Sequence, residues 1–433
     1  MRGAFPYHPR VTRARIAGLL ASFAFVGSLF VLLPRLGAEE KKEGGGGGYR
    51  PLGLLTEVLT ITQQNYVEPV DGKKLFAGAY SGMTDALDPV SEYVPADRMV
   101  DFKAAQAALK LPETVTPGLV LAHRFGYPVV VSAVPGSPAA EAGLKSDDVI
   151  EKVLEHTARG MALWDVEAHL TGKPGARSRL VILREGGKPR RRTVEVVLSS
   201  WSPTPPSASR VEGQTVVRIP SFEAGTAAAV KAAIASLDPT RPLVLDVRGT
   251  ASGSLEEAAR TAALFLPAGP LGELSGRRVP AKKFEAVPGE RVHEGRLVLL
   301  VDSGTSGPAE LFAGALRESG RPPVPAPRET PGPAPSPTPT PKGALRVRLV
   351  GEATPGLATE LKVVPLQSGG ALRLSVARVK TANGRSLSPR GLEPDDRVYA
   401  SNPEEGQPAV DAALKRALGI LGEKAQTGGG PAS

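Results

Sequence analysis

The hydrophobic pattern changes character several times along the chain. Arg2, Arg10, Arg13 and Arg15 lead into eighteen apolar or small residues without a charge, from Ile16 to Leu33, just long enough to span a bilayer as a helix. EEKKE and GGGGG (residues 39–48) then predict a charged, flexible tether. Between residues 52 and 109, LLTEVLTITQQNYV and LFAGAYSGMTDAL place apolar residues at i, i+3 and i+4. That spacing predicts amphipathic helices, interrupted by a proline turn at LDPVSEYV (residues 87–94). From residue 114 to about 199 the period shortens. VVVSAV (129–134), DVIEKVL (148–154) and SRLVILR (178–184) read as strands. SPAAEAGL (137–144) reads as a short helix with a serine cap and a glycine stop, and WDVEAHLTG (164–172) as a second helix.

An alternation of strand and helix begins at Gln214. TVVRIPSF, PLVLDVRG and RLVLLVDSG are strand-like, and AAAVKAAIASL, LEEAARTAALFL and AELFAGALRESG are the helices that follow them. Such alternation predicts a mostly parallel sheet covered by helices. Residues 322–341 then hold ten prolines in twenty positions. Neither a helix nor a central strand forms in such a stretch, so an extended solvated loop is expected. Strands resume at 345–350, 360–366 and 371–379. AVDAALKRALGILG (409–422) predicts a terminal amphipathic helix, and AQTGGGPAS a disordered tail.

Composition narrows the chemistry. With 433 residues the chain has room for about three domains at roughly 150 residues each. The absence of cysteine excludes disulfide frameworks, thiolate zinc sites and cysteine nucleophiles. His8, His123, His156, His169 and His293 are scattered without ligand spacing, and no GxxxxGK[ST] run occurs. Neither a metal site nor a phosphate loop, and no cofactor, is therefore expected. Net charge is +9, yet aromatics make up only 5% and KPRRR (188–192) falls where a hairpin tip belongs, so no nucleic-acid partner is expected. The arginines ahead of the apolar run argue for a cytoplasmic N-terminus. The expectation is a single-pass anchor in a bacterial inner membrane with the bulk of the chain periplasmic or extracytoplasmic; a cleaved signal peptide is the rival. One stretch remains as a candidate for chemistry, VDSGTSGPAELFAGALRESGR (301–321). A strand ends, small residues follow and a helix begins, which is how α/β enzymes present a nucleophile at the positive end of a helix. Ser303, Thr305 and Ser306 all stand there, and capping or turn formation is their plainer use.

The order of these parts resembles the carboxyl-terminal processing peptidases, also called tail-specific proteases. The marks are YVEPVD (66–71), LDPVSEYV, GSPAAEAGLKSDDVI (136–150), VVRIPSF (216–222), VLDVRG (244–249), the 301–321 stretch, VGEATPG (350–356) and ALRLSVARVKTANGRSL with GLEPD (371–395). The resemblance covers about residues 52–396 and implies a multidomain α/β chain. Its parts would be a cytoplasmic arm and membrane anchor or signal segment (1–38), a flexible linker (39–51), a helical region (52–112) and a PDZ domain (113–200). A ClpP/crotonase-like α/β serine-peptidase core would follow (201–425), with a Pro-rich insertion at 322–343 and a disordered tail at 426–433. A PDZ groove takes a peptide as an added strand and holds its terminal carboxylate in a loop of backbone N–H groups. PGLVLA (117–122) matches that loop and strand, so Gly118, Leu119, Val120 and Leu121 are the implied peptide-binding residues, with the helix at 164–170 as the other wall. Where the family usually has glycine in the following turn, this chain has Asp147.

The implied chemistry is a Ser–Lys dyad, in which a neutral lysine takes the proton of the attacking serine. The serine precedes a glutamate by three residues. That glutamate is Glu310, so the nucleophile position is Gly307. The lysine of a VGExTFGKG-like run falls on Leu357, and the glutamine four residues on falls on Leu361. DVRGTASG (246–253) stands where the family provides N–H groups near the oxyanion, with Ser252 in place of a glycine. Ser306 is the fallback nucleophile. The nearest lysines, Lys342 and Lys362, are expected in solvent, protonated and therefore poor bases. The expectation is a pseudo-protease that binds protein C-termini or unfolded polypeptide, with an active peptidase relative as a further candidate partner. The rivals are an active serine endopeptidase with a relocated dyad and a purely structural envelope protein with a closed groove.

Overall fold

In the computed structural model of the chain, residues 49–185, 190–318, 347–399 and 411–422 are described. The expected span from Ile16 to Leu33, the Pro-rich insertion and the C-terminal tail lie outside them. Among the described residues no helix is long and apolar enough to cross a membrane. The chain divides into two compact units, residues 1–75 and 76–433. The first contains α1 (Tyr49–Asn65), which begins inside the expected linker and exposes Leu52, Leu54, Val58 and Ile61. The helix α2 (Gly72–Asp85) follows.

The second unit begins within α2. LDPVSEYV does turn, because Asp88 Oδ1 accepts from Val90 N and Ser91 N. It then continues as an unexpected strand, β1 (Glu92–Val94), before α3 (Met99–Ala108). A small β-domain comes next. Its elements are β2 (Leu119–Arg124), β3 (Tyr127–Ala133), α4 (Pro138–Glu141), β4 (Val149–Val153), β5 (His156–Thr157), α5 (Leu163–Leu170), β6 (Arg177–Leu183) and β7 (Arg191–Val197). The strands pair antiparallel in the order β2-β3-β4-β6-β7, with β5 on β4. Ser137 caps α4 by accepting from Ala140 N, and Gly143 leaves it at φ +82°, as the sequence signals demand. Leu121, Val130, Ile150 and Leu180 of the sheet bury against Leu163, Val166 and Leu170 of α5.

The remaining elements are β8 (Ser207–Val211), β9 (Gln214–Arg218), α6 (Thr226–Ile234), β10 (Leu243–Asp246), α7 (Leu255–Ala263), β11 (Gly269–Ser275) and β12 (Lys282–Ala286). After them come β13 (Leu297–Val301), α8 (Pro308–Glu318), β14 (Val347–Gly351), β15 (Thr359–Pro365), β16 (Ala371–Thr381), β17 (Asp396–Arg397) and α9 (Ala412–Gly422). A sheet of order β17-β14-β13-β10-β9-β8 is parallel from β17 to β9, with β8 antiparallel at its edge. Its strands are apolar on both faces because both faces are covered. Val217, Leu245 and Leu299 join the cluster of α6, α7 and α8, while Val216, Val244, Leu300 and Val350 meet Leu418 and Ile420 of α9.

One part of the architecture departs from the expected single sheet. Of the strands beyond the Pro-rich run, only β14 enters the parallel sheet together with the two-residue β17. β15 and β16 instead pair antiparallel, and β16 carries β1 and β11, with β12 outside β11. This second sheet buries Leu271, Phe284 and Val379 in the same core as α8. The carboxyl ends of β9, β10, β13 and β14 therefore lie side by side, where open α/β sheets place their ligands.

Candidate active site

Asp302 builds the turn after β13. Its Oδ1 accepts from Gly249 N at 2.8 Å and Gly304 N at 3.0 Å, which ties the turn to the loop after β10. Thr305 Oγ1 lies 2.9 Å from both Asp302 Oδ1 and Val247 O. Burial pushes the Asp302 carboxyl up, against the pull of the Gly249 N–H. Ser306 N adds a second tie by donating to Thr250 O at 2.9 Å.

Two of the three hydroxyls of the turn, those of Ser303 and Thr305, are accounted for without chemistry. Ser303 Oγ donates to Asp147 Oδ2 of the small β-domain at 2.5 Å, and Thr305 serves the turn. Ser306 is 2% exposed. Lys362 is exposed beside Glu360, as expected of it, and Lys342 lies outside the described residues. Among the described residues no lysine is bonded to Ser303, Thr305 or Ser306.

Gly307 occupies the position expected for the nucleophile. Its φ of +56° is left-handed, which glycine takes freely. A Cβ built there would meet only Ala251 O, at 3.8 Å, so space for a side chain is present. The fully buried Glu310, on the first turn of α8, organises everything around it. Its Oε2 accepts from Gly307 N at 3.1 Å and from Leu357 N at 3.0 Å, and its Oε1 from Thr354 Oγ1 at 2.6 Å and Gly356 N at 2.7 Å. Both expected dyad positions thus meet at one carboxylate oxygen, a convergence that sequence spacing alone does not contain. Burial pushes this carboxyl up to about 7, against the pull of its four hydrogen bonds.

The leucines at the positions expected for the base and the glutamine serve packing. Leu357 and Leu361 are partly buried and pack against the core of the small β-domain. In the loop that the resemblance matches to the oxyanion loop, Ser252 Oγ is buried without a hydrogen-bond partner among the described residues, while Ser252 O accepts from Phe222 N. Gly253 is required there, because a Cβ would come within 2.1 Å of the Phe222 carbonyl carbon.

A cavity of about 670 Å³ opens at the strand ends, its charged and polar lining coming from Arg218, Asp246, Arg248 and Asp302 and from Ser146 and Asp147 of the small domain. Its charges compensate one another. Arg248 Nη2 reaches Asp246 Oδ2 at 2.7 Å and Asp411 Oδ2 at 2.9 Å. Burial lowers Arg248, but these two carboxylates outweigh it and hold the guanidinium above its ordinary value. Arg218 is lowered by burial and donates to the carbonyl of Asp246 at 2.9 Å. Neither Gly307 nor Leu357 lines this cavity. These arginine contacts have no local signal in the sequence beyond VVRIPSF and VLDVRG.

The candidate peptide-binding residues lie together. Gly118 has φ +71°, and a Cβ there would approach Ser137 Cβ to 2.3 Å and Trp201 to 2.8 Å. Leu119, Val120 and Leu121 begin β2, the edge strand of its sheet. His123 N donates to Pro89 O at 2.7 Å and closes the far end of that edge.

Residues 214–330 match the family described as peptidase family S41. The chain is 28% identical over 372 residues to the carboxy-terminal processing protease CtpA of Bacillus subtilis (strain 168), covering 83% of this chain and 71% of that protein. It is 26% identical over 375 residues to a carboxy-terminal-processing protease of Bartonella bacilliformis, covering 82% of this chain and 77% of that one. Among solved structures, the photosystem II D1 C-terminal processing protease shares its fold with a TM-score of 0.59 at 23% identity, over 85% of this chain and 91% of that chain.

Proposed function

We propose that this chain is a pseudo-protease of the carboxy-terminal processing type, a reading supported by its match to peptidase family S41 over residues 214–330 and by its similarity to CtpA of Bacillus subtilis. In this reading a membrane anchor at residues 16–33 holds it on the extracytoplasmic side of a bacterial inner membrane. The small β-domain is a PDZ domain that captures protein C-termini or unfolded segments, and an active relative is a candidate partner. The observation that carries the reading is the meeting of Gly307 and Leu357 at Glu310. The positions that the resemblance assigns to nucleophile and base come together in space, and neither side chain can attack or accept a proton. Loss of either member of such a unit already removes most of the rate. Peptide capture is supported by β2, an edge strand of its sheet whose far end alone is taken up by the bond from His123 N to Pro89 O, and by the left-handed Gly118 before its start.

The test is incubation of the purified chain with casein as an unstructured substrate. No cleavage is expected. Cleavage that disappears in Ser306→Ala would refute the reading and favour an active endopeptidase with a relocated dyad.

A further inference from the structure

The small β-domain touches the inactive turn at several independent points. Ser132 Oγ donates to Gly249 O at 2.5 Å, and Ser303 Oγ donates to Asp147 Oδ2 at 2.5 Å. A Cβ on Gly304 would come within 2.3 Å of Ser146 Oγ and 3.0 Å of Val131 O, so the two backbones meet there with no room for a side chain. From the other side of the site, Leu357 and Leu361 pack against the domain's core.

Two features of these contacts need an explanation beyond loss of catalysis. The first is the identity of the leucines. An abandoned catalytic position tolerates many residues, yet the base and glutamine positions have both become leucine and both pack on the same apolar cluster. A lysine or glutamine there would have to bring a polar head against that cluster, which is unfavourable unless a partner satisfies it. The second is Asp147. It sits at φ +68°, a conformation that side chains other than glycine adopt at a cost. Its carboxylate is what glycine would lack: Oδ2 accepts from Ser303, and Oδ1 accepts from Arg124 Nη1 at 2.8 Å.

We propose that the chain has converted its former base and glutamine positions into a docking face for its own small β-domain, with Asp147 as the latch to the turn. The domain is held shut over the inactive site, and the edge of β2 is presented in one fixed orientation. The proposal rests on the reading of Gly307 and Leu357 as former dyad positions.

Hydrogen exchange followed by mass spectrometry on the full chain tests it, with two variants. Asp147→Gly relieves the left-handed strain and so preserves the fold. It should speed exchange about tenfold, the size expected for one lost charge-assisted hydrogen bond. The rise should occur together in residues 130–133, 248–252 and 301–306. Unchanged or slower exchange in these segments overturns the latch. Leu357→Ala combined with Leu361→Ala should produce the same joint rise, and a rise confined to residues 357–361 overturns the docking face. Casein cleavage by the unsubstituted chain, measured alongside, would remove the pseudo-protease reading while leaving the exchange result to stand or fall separately.

Discussion

Glu310 is a buried carboxyl that two forces pull in opposite directions, and stability measurements against pH can show which prevails. Desolvation favours its neutral form, while four donors favour its charged form; the balance leaves it titrating near 7 instead of at its ordinary 4.5. The sign follows from linkage. A carboxyl raised in the folded chain contributes stability that is fully present below pH 4.5 and is lost as the pH rises through about 7. At ~1.4 kcal/mol per pH unit, that interval corresponds to about 3 kcal/mol. Glu310→Gln removes the titration but keeps the shape. The amide offers one acceptor oxygen and turns an NH2 group toward two backbone or hydroxyl donors, each costing ~1–3 kcal/mol when left unsatisfied. The variant should therefore be less stable at pH 4.5, and its deficit should shrink by about 3 kcal/mol by pH 7.5. Urea denaturation at several pH values measures the difference, in which all other titrating groups cancel. Coincident circular dichroism and tryptophan fluorescence transitions check that a single unit unfolds. A deficit that stays constant from pH 4.5 to 7.5 would refute the reasoning. It would mean that the four donors outweigh burial and keep Glu310 ionised throughout.

Restoring the dyad tests the scaffold. A serine fits the open space at Gly307, but its φ of +56° should cost ~1–2 kcal/mol, read as a lower urea midpoint. Gly307→Ser alone should leave casein intact, whereas Gly307→Ser with Leu357→Lys should begin to cleave it; a folded but inert double variant would show that more than the dyad has been lost. Peptide capture should depend on the terminal carboxylate, so an amidated peptide should bind the chain at least ~10-fold more weakly than its free-acid form, by the loss of charge-assisted hydrogen bonds. Equal affinity, or no binding at millimolar peptide, would favour a closed groove and a structural role.

Much of the fold was legible because its signals are local. Ser137 and Gly143 mark the ends of α4, and the apolar runs of β10 and β13 follow from burial on both faces. Motif order assigns the expected nucleophile and base positions to Gly307 and Leu357, and the structure brings the N–H groups of both residues to one oxygen of Glu310. The second sheet was not. β11 and β12 are short and interrupted by a register shift at Pro270/Gly272, so their period-2 pattern is weak. β1 pairs with β16 from the far end of the chain, through Glu92 opposite Arg373, and nothing near LDPVSEYV signals that partner. The latch between Asp147 and Ser303 was hidden for the same reason. Both residues read locally as turn formers, and only tertiary structure makes them a pair.

The residues that follow the expected motifs at this site and those that depart from them divide along a physical line. Asp302 binds the N–H groups of Gly249 and Gly304, and Glu310 takes four donors from two chain segments. Thr354 Oγ1 donates to Glu310 and accepts from Leu392 N. Removing any of these would strand buried backbone groups, which a fold tolerates poorly. Gly307, Leu357 and Leu361 offer the fold no polar side-chain contact, and a serine, lysine or glutamine there would be needed for chemistry alone. Retention of Glu310 is therefore no sign of surviving activity, since the scaffold requires it whether or not a nucleophile stands beside it. The same criterion marks Asp147 as a residue in use: it keeps a strained backbone where glycine would be easier, and its carboxylate ties the small β-domain to Ser303 of the turn.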